Sequence, residues 1–144
     1  RCNVEIGAHP SYPDRFNFGR KKMDISKAEL AYSIISQIES LETIASSYGK
    51  ELHHIKAHGA LYNEMISDQD LADFYLDTIK DYKSKYSLYI PYQSKIEKLA
   101  LKRNFNVNGG ISKKSPLLFS NNTIRCDPFL TTQKNQLFFV AKRN

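Results

Sequence analysis

Apolar and polar positions change their period several times along the first hundred residues, and each change marks a predicted element. Asn3-Val4-Glu5-Ile6-Gly7-Ala8 is a short β-prone run, ended by Gly7 and a turn at Pro10, which predicts a strand leading into a polar loop. Leu30, Ile34, Ile38, Leu41 and Ala45 then recur at helical intervals. Ser26 and Glu29 stand at capping-box spacing before them and Gly49 supplies a stop, so a long helix is expected. Residues 52–57 alternate only partly between that stop and Gly59, which predicts a second strand. Asp68, Asp70 and Asp73 crowd the start of the next segment and Lys80, Lys83 and Lys85 its end, complementing a helix dipole. Leu71, Phe74, Tyr75, Ile79 and Tyr82 give that segment an apolar face. Residues 86–91 predict a third strand, and Ser94 with Glu97 a second capping box opening a helix to about Arg103. Phe105-Asn106-Val107 completes the series as a further strand.

The order β-loop-α-β-loop-α-β-α-β implies right-handed crossovers and a mainly parallel α/β sheet or barrel. Residues 108–144 break the rhythm. Leu117-Leu118-Phe119 and Leu137-Phe138-Phe139-Val140 lie among Ser, Asn, Thr and Lys without a helical period, and a hairpin or a loosely ordered tail is the most that pattern supports. The expected organisation is a β/α unit over residues 1–107 and a tail over 108–144.

Composition changes this picture in one respect. The chain of 144 residues carries a net charge of +6, which by itself suggests a nucleic-acid partner. The charge is unevenly placed: residues 111–144 hold six Lys/Arg against one acid, whereas residues 1–110 hold fifteen against fourteen. Tyr82-Lys83-Ser84-Lys85-Tyr86 interleaves aromatic and basic residues, but those lysines are explained by the helix end they occupy, and Asn108-Gly109-Gly110 lacks the Gly-Lys-Ser/Thr ending of a phosphate loop. No nucleic-acid partner is expected. The longest apolar runs fall far short of the roughly 20 residues that cross a bilayer, and no signal peptide opens the chain, so a cytoplasmic protein without a membrane partner is expected. Cys2 and Cys126, far apart and without C-x-x-C spacing, read as free thiols.

The candidate chemistry lies at two similar corners, GAHPSYPDR at residues 7–15 and KAHGALYN at 56–63. His9 follows the first predicted strand and His58 the second, and active sites of parallel α/β folds form on loops leaving the carboxyl ends of strands. Two imidazoles aimed at one mouth suit proton transfer near neutral pH or metal ligation; each could equally cap its strand end. Asp14, Arg15 and Arg20 add a carboxylate and two guanidinium forks fitted to an anionic substrate. Lys56, two residues before His58, should point to the same side of its strand. Tyr62 and Asn63 complete the corner. His54 and His58 are four apart, but on a strand that spacing is about 13 Å, too far for one metal to bridge, so His53 and His54 read as structural.

With these residues in place, residues 6–15, 17–20 and 54–63 closely resemble signature segments of the LamB/YcsF lactam-utilisation family, whose bacterial members form the A subunit of 5-oxoprolinase. The resemblance covers roughly residues 4–107. It implies a partial, distorted β/α barrel of the glycoside hydrolase/deacetylase type, and ATP-dependent opening of 5-oxo-L-proline to L-glutamate with two partner subunits, ATP entering as co-substrate with Mg2+. Carried over by position, His9, Asp14, Arg15, Lys56 and His58 become active-site candidates, with Tyr12, Arg20 and Asn63 as supporting contacts and no resident metal. Departures from the family pattern are Ala57 where Pro is usual, an absent acidic first strand, an absent Gly-Phe-His-Ala-Gly-Asp corner, and no Ala-Asp-Arg motif after residue 107. They lead us to expect a truncated or frameshifted chain. A metal-dependent hydrolase related to polysaccharide deacetylases, and a non-catalytic remnant, are the competing expectations.

Overall fold

The computed structural model describes residues 4–110 and 140–143. Four parallel strands, β1 (Val4–Ala8), β2 (Leu52–Ile55), β3 (Ser87–Pro91) and β4 (Val107–Gly110), lie side by side in chain order. A fifth, β5 (Val140–Arg143), pairs antiparallel with the free side of β1. Between the parallel strands run α1 (Lys27–Ser47), α2 (Gly59–Glu64), α3 (Gln69–Thr78) and α4 (Lys95–Lys102). Each crossover moves one place in the same direction, and right-handed crossovers that never reverse put the connecting helices on one face of the sheet. That is the winding of a β/α barrel rather than of a doubly wound sheet, although among the described residues the sheet stays open.

The core sits between the helices and that face. Leu30, Ile34, Ile38, Leu41 and Ala45, the predicted stripe of α1, are all buried. They join Ile55, Leu88 and Ile90 from the strands and Tyr75, Leu76, Ile96 and Ala100 from α3 and α4. Each fully buried large aliphatic side chain contributes about 1.5–3 kcal/mol, which explains why these segments hold their helical and extended periods. At the start of α1, the Ser26 hydroxyl accepts from the Glu29 amide at 3.2 Å and the Glu29 carboxylate accepts from the Ser26 amide at 3.3 Å, the reciprocal bonds of a capping box. On the outer layer, Arg103 after α4 reaches Asp73 and Asp77 of α3 at 2.5 and 2.6 Å, clamping the two helices together.

Several boundaries differ from expectation. The helix predicted to run towards Lys85 ends at Thr78 and gives way to a 3-10 turn at Lys80–Tyr82, because the chain must fold back to bury Ile79 and Tyr82. Only Val107 of the predicted strand 105–107 lies in β4; Phe105 precedes it as a buried core residue, and the strand continues to Gly110. The second capping box is half formed: the Ser94 hydroxyl accepts from Glu97, but the Glu97 carboxylate turns to the Gln93 amide. Within the segment expected to be a hairpin or tail, residues 140–143 form β5; residues 111–139, Cys2 and Cys126 lie outside the described residues. No helix among the described residues is long and apolar enough to cross a membrane.

Candidate functional site

β1 and β2 end beside one another, and the chain leaving each is stitched to the other by backbone bonds. The Lys56 amide donates to the Ala8 carbonyl and the His58 amide to the Pro10 carbonyl, both at 2.9 Å. The loop after β1 then curls over the start of α2. Gly19, at φ +62°, offers its carbonyl to the Ala60 amide at 2.9 Å. Gly59, also at φ +62°, lies so close that a Cβ on it would stand 2.2 Å from the Gly19 oxygen. Only glycine fits that crossing, on grounds of both backbone conformation and space.

This stitching brings two histidines, 49 residues apart in sequence, into contact. His9 Nε2 lies 3.0 Å from His58 Nδ1, with ring centroids 4.8 Å apart. His58 Nε2 lies 3.0 Å from the Phe18 carbonyl oxygen. A carbonyl only accepts, so neutral His58 carries its proton on Nε2 and donates it to Phe18. Its Nδ1 is then an acceptor, and His9 Nε2–H donates to it. The Phe18 oxygen thus makes His58 Nδ1 the acceptor, while the Lys56 carbonyl is a second acceptor facing the His9 ring.

Electrostatics keep the pair neutral. Burial, then His58, Lys56 and His54, push the His9 imidazole down to about 3. Burial also lowers His58, with Arg20 and Lys56 adding to the effect against the bond to Phe18. Lys56 is itself lowered by burial, and its ammonium stands 5.6 Å from the centre of the Tyr62 ring. The arrangement is two imidazoles held uncharged near neutral pH, beside a half-buried amine and a guanidinium able to attract negative charge.

The other sequence candidates are distributed around this centre. Tyr12 is 2% exposed and its hydroxyl donates to Glu64 at 3.2 Å, with Lys22 on the same carboxylate at 3.4 Å; burial first, and Glu64 next, push the phenol up to about 12. Asp14 shapes the loop rather than the pocket: its carboxylate accepts from the Asn17 amide at 3.0 Å, a bond that holds it below the usual carboxylate range. Arg15 and Arg20 are exposed on that loop, and Asn63 is exposed on α2. His9, Lys56, His58 and Arg20 are thus brought together, while Tyr12, Asp14, Arg15 and Asn63 surround them. Among the described residues no group of three His, Cys, Asp or Glu could hold a metal ion.

Sequence reasoning missed three contributors. The Phe18 carbonyl carries no side-chain signature. Glu64 ends α2, a helix of six residues, too short to show a period. Gln37 did leave a signal: it is a polar residue on the inward stripe of α1, between Ile34 and Leu41, and its amide brackets the Ser11 peptide. His53 and His54 stand apart from the mouth. His54 is fully buried and stacks on Tyr89 at 4.2 Å, and His53 lies 3.3 Å from Glu5.

The 5-oxoprolinase A subunit of Pyrococcus abyssi is 39% identical over 98 residues, covering 68% of this chain and 38% of that protein. Its counterpart in Acinetobacter baumannii is 44% identical over 85 residues, covering 59% and 34%. The crystal structure of a lactam utilization protein from Thermus thermophilus aligns with a TM-score of 0.66 at 32% identity, over 72% of this chain and 42% of the other. The chain therefore spans well under half the length of these relatives. The family model of LamB/YcsF matches residues 1–111, which include both histidine corners and all four parallel strands, and the chain belongs to the LamB/YcsF family.

Proposed function

We propose that the His9–His58 mouth is part of the site at which a 5-oxoprolinase opens 5-oxo-L-proline to L-glutamate, with ATP as co-substrate and two further subunits as partners. The observation that carries this reading is the 3.0 Å contact between the two histidines, formed by two corners that both lie within the residues matched by the LamB/YcsF family model. The word subunit in the names of the relatives supports an assembly. The reaction, the nucleotide and the number of partners belong to the proposal.

A lactam amide resists water, and phosphorylation of its carbonyl oxygen by ATP would make the carbon electrophilic. The chain's own groups fit the remaining tasks. During ring opening the attacking water passes a proton to the histidine pair and the ring nitrogen receives one as the C–N bond breaks, leaving the phosphoryl group on the new carboxyl oxygen as an acyl phosphate that a second water splits to L-glutamate and inorganic phosphate; such proton transfer typically accounts for about 10²–10⁴-fold in rate. Lys56 and Arg20 hold the substrate carboxylate or the phosphoryl charge. In this reading Mg2+ arrives on the nucleotide phosphates, and no step depends on it.

The test is glutamate release from 5-oxo-L-proline by the chain combined with its partner subunits and ATP. Release that is lost in His58→Ala supports the proposal. A folded, assembled wild-type protein that releases no glutamate overturns it and favours a non-catalytic role.

A further inference from the structure

His9 belongs to an irregular loop, residues 9–20, whose internal backbone bonds join residues 12 to 20 and leave the stretch from His9 to Ser11 to be placed by other elements. Its anchor comes from the helix behind it. Ser11, two residues after His9, is fully buried. Its amide donates to Gln37 Oε1 at 3.0 Å, and its carbonyl accepts from Gln37 Nε2 at 2.9 Å. The second hydrogen of Nε2 is shared by the Ser33 carbonyl at 3.1 Å and the Ser33 hydroxyl at 3.0 Å. Rotating the carboxamide by half a turn would set N–H against N–H and oxygen against oxygen, so its orientation is fixed.

From Ser11 the constraint passes on by contact. Gly19 packs over Ser11 so closely that a Cβ there would stand 2.7 Å from the Ser11 Cβ. The Gly19 carbonyl is bound to the Ala60 amide, and the preceding carbonyl, that of Phe18, receives His58. We infer that Gln37 is a positioning residue for the histidine pair: its amide fixes the Ser11 peptide, and through Ser11 both His9 and the Phe18 carbonyl are held against His58. Gln37 acts through the Ser11 peptide and takes no part in proton transfer. It accounts for a polar side chain on a helix stripe otherwise built of Leu and Ile.

The inference rests on reading the pair as the functional site, but its test uses no activity, so failure of glutamate release and failure of this proposal are separate results. Imidazole nitrogen NMR of the full chain reads tautomer and titration directly. Wild-type His58 should show one tautomer, protonated on Nε2. In Gln37→Asn, whose amide is one methylene short, and in Gln37→Leu, His58 should move towards a tautomer mixture. Its apparent pKa should rise towards the ordinary value of about 6.5, while His53 keeps its wild-type signals. If both variants fold, by circular dichroism, with His58 unchanged in tautomer and titration, Gln37 is a structural residue and the inference is wrong. Wild-type hydrogen exchange gives an arm that needs no variant. The Ser11 amide and the His58 ring hydrogen should become exposed together on warming, and exchange of Ser11 while His58 stays protected overturns the proposal.

Discussion

The four histidines form two close pairs on neighbouring strands, and the pairs differ in everything except their spacing. At the mouth, His9 and His58 stand 3.0 Å apart; near the start of β2, His53 and His54 stand 3.2 Å apart through their Nδ1 atoms. The mouth pair faces a backbone carbonyl, a half-buried amine and a guanidinium. The other pair has the Glu5 carboxylate 3.3 Å from His53 Nδ1, so one proton on that nitrogen serves both Glu5 and His54. His54 is also held flat against Tyr89 and fills the space above Gly7. Burial first, and cationic neighbours next, keep the mouth imidazoles uncharged, whereas a carboxylate and an aromatic stack engage the other pair where it is. The same residue type at nearly the same spacing thus meets different surroundings in the two places, and only the mouth pair has those that the proposed proton transfer needs.

The sharpest way to break this comparison is to delete one histidine from each pair. His58→Ala should lower the rate of glutamate release by about 10²–10⁴-fold, equivalent to roughly 3–5 kcal/mol of barrier. His53→Ala should leave that rate within a few-fold of wild type. Next come the two glycines that make room for the pairs. Gly59→Ala forces a left-handed backbone onto alanine and drives a Cβ into the Gly19 carbonyl, so denaturant unfolding should show a loss of about 2–4 kcal/mol and the mouth contact should open. Gly7→Ala meets the His54 ring at 2.0 Å instead; a smaller loss, about 1–3 kcal/mol, is expected, with the disturbance centred on Tyr89.

Acidification should then separate the pairs without mutation. His9 titrates at about 3 in the fold against about 6.5 in the unfolded chain, so below pH 6.5 the unfolded chain binds more protons and the fold loses stability as pH falls. Its share of the slope is at most about 1.4 kcal/mol per pH unit between those values, and it should be missing from a His9→Ala titration of stability. Smallest of all, Glu5→Gln removes a half-exposed partner of His53, and no more than about 1 kcal/mol of stability should follow.

How much of this was legible in the sequence depended on range. The Ser26–Glu29 cap and the α1 stripe are local patterns, and both appear in the fold as expected. The two Ala-His corners were legible because a strand end puts the next residues at the mouth whichever strand carries them. What could not be seen was contact made by backbone. The Phe18 carbonyl orients His58 and the Gly19–Gly59 crossing shapes the loop, yet neither involves a side chain of distinctive type. The helix α2 was missed because Gly59, taken as a stop, in fact begins it, its positive φ turning the chain into the first turn. Lys83 and Lys85, assigned to a helix end, lie beyond it in the turn before β3, since burial of Ile79 and Tyr82 outweighs the dipole pattern.

The central claim is that two corners far apart in sequence form one hydrogen-bonded histidine pair with a fixed proton order. The most direct measurement is the nitrogen–nitrogen scalar coupling across His9 Nε2–H and His58 Nδ1 in labelled protein near neutral pH. A resolved coupling, with His58 protonated on Nε2 and both rings titrating below the ordinary histidine value, is the expected result. Two uncoupled rings, each titrating near the ordinary histidine value, would contradict the account.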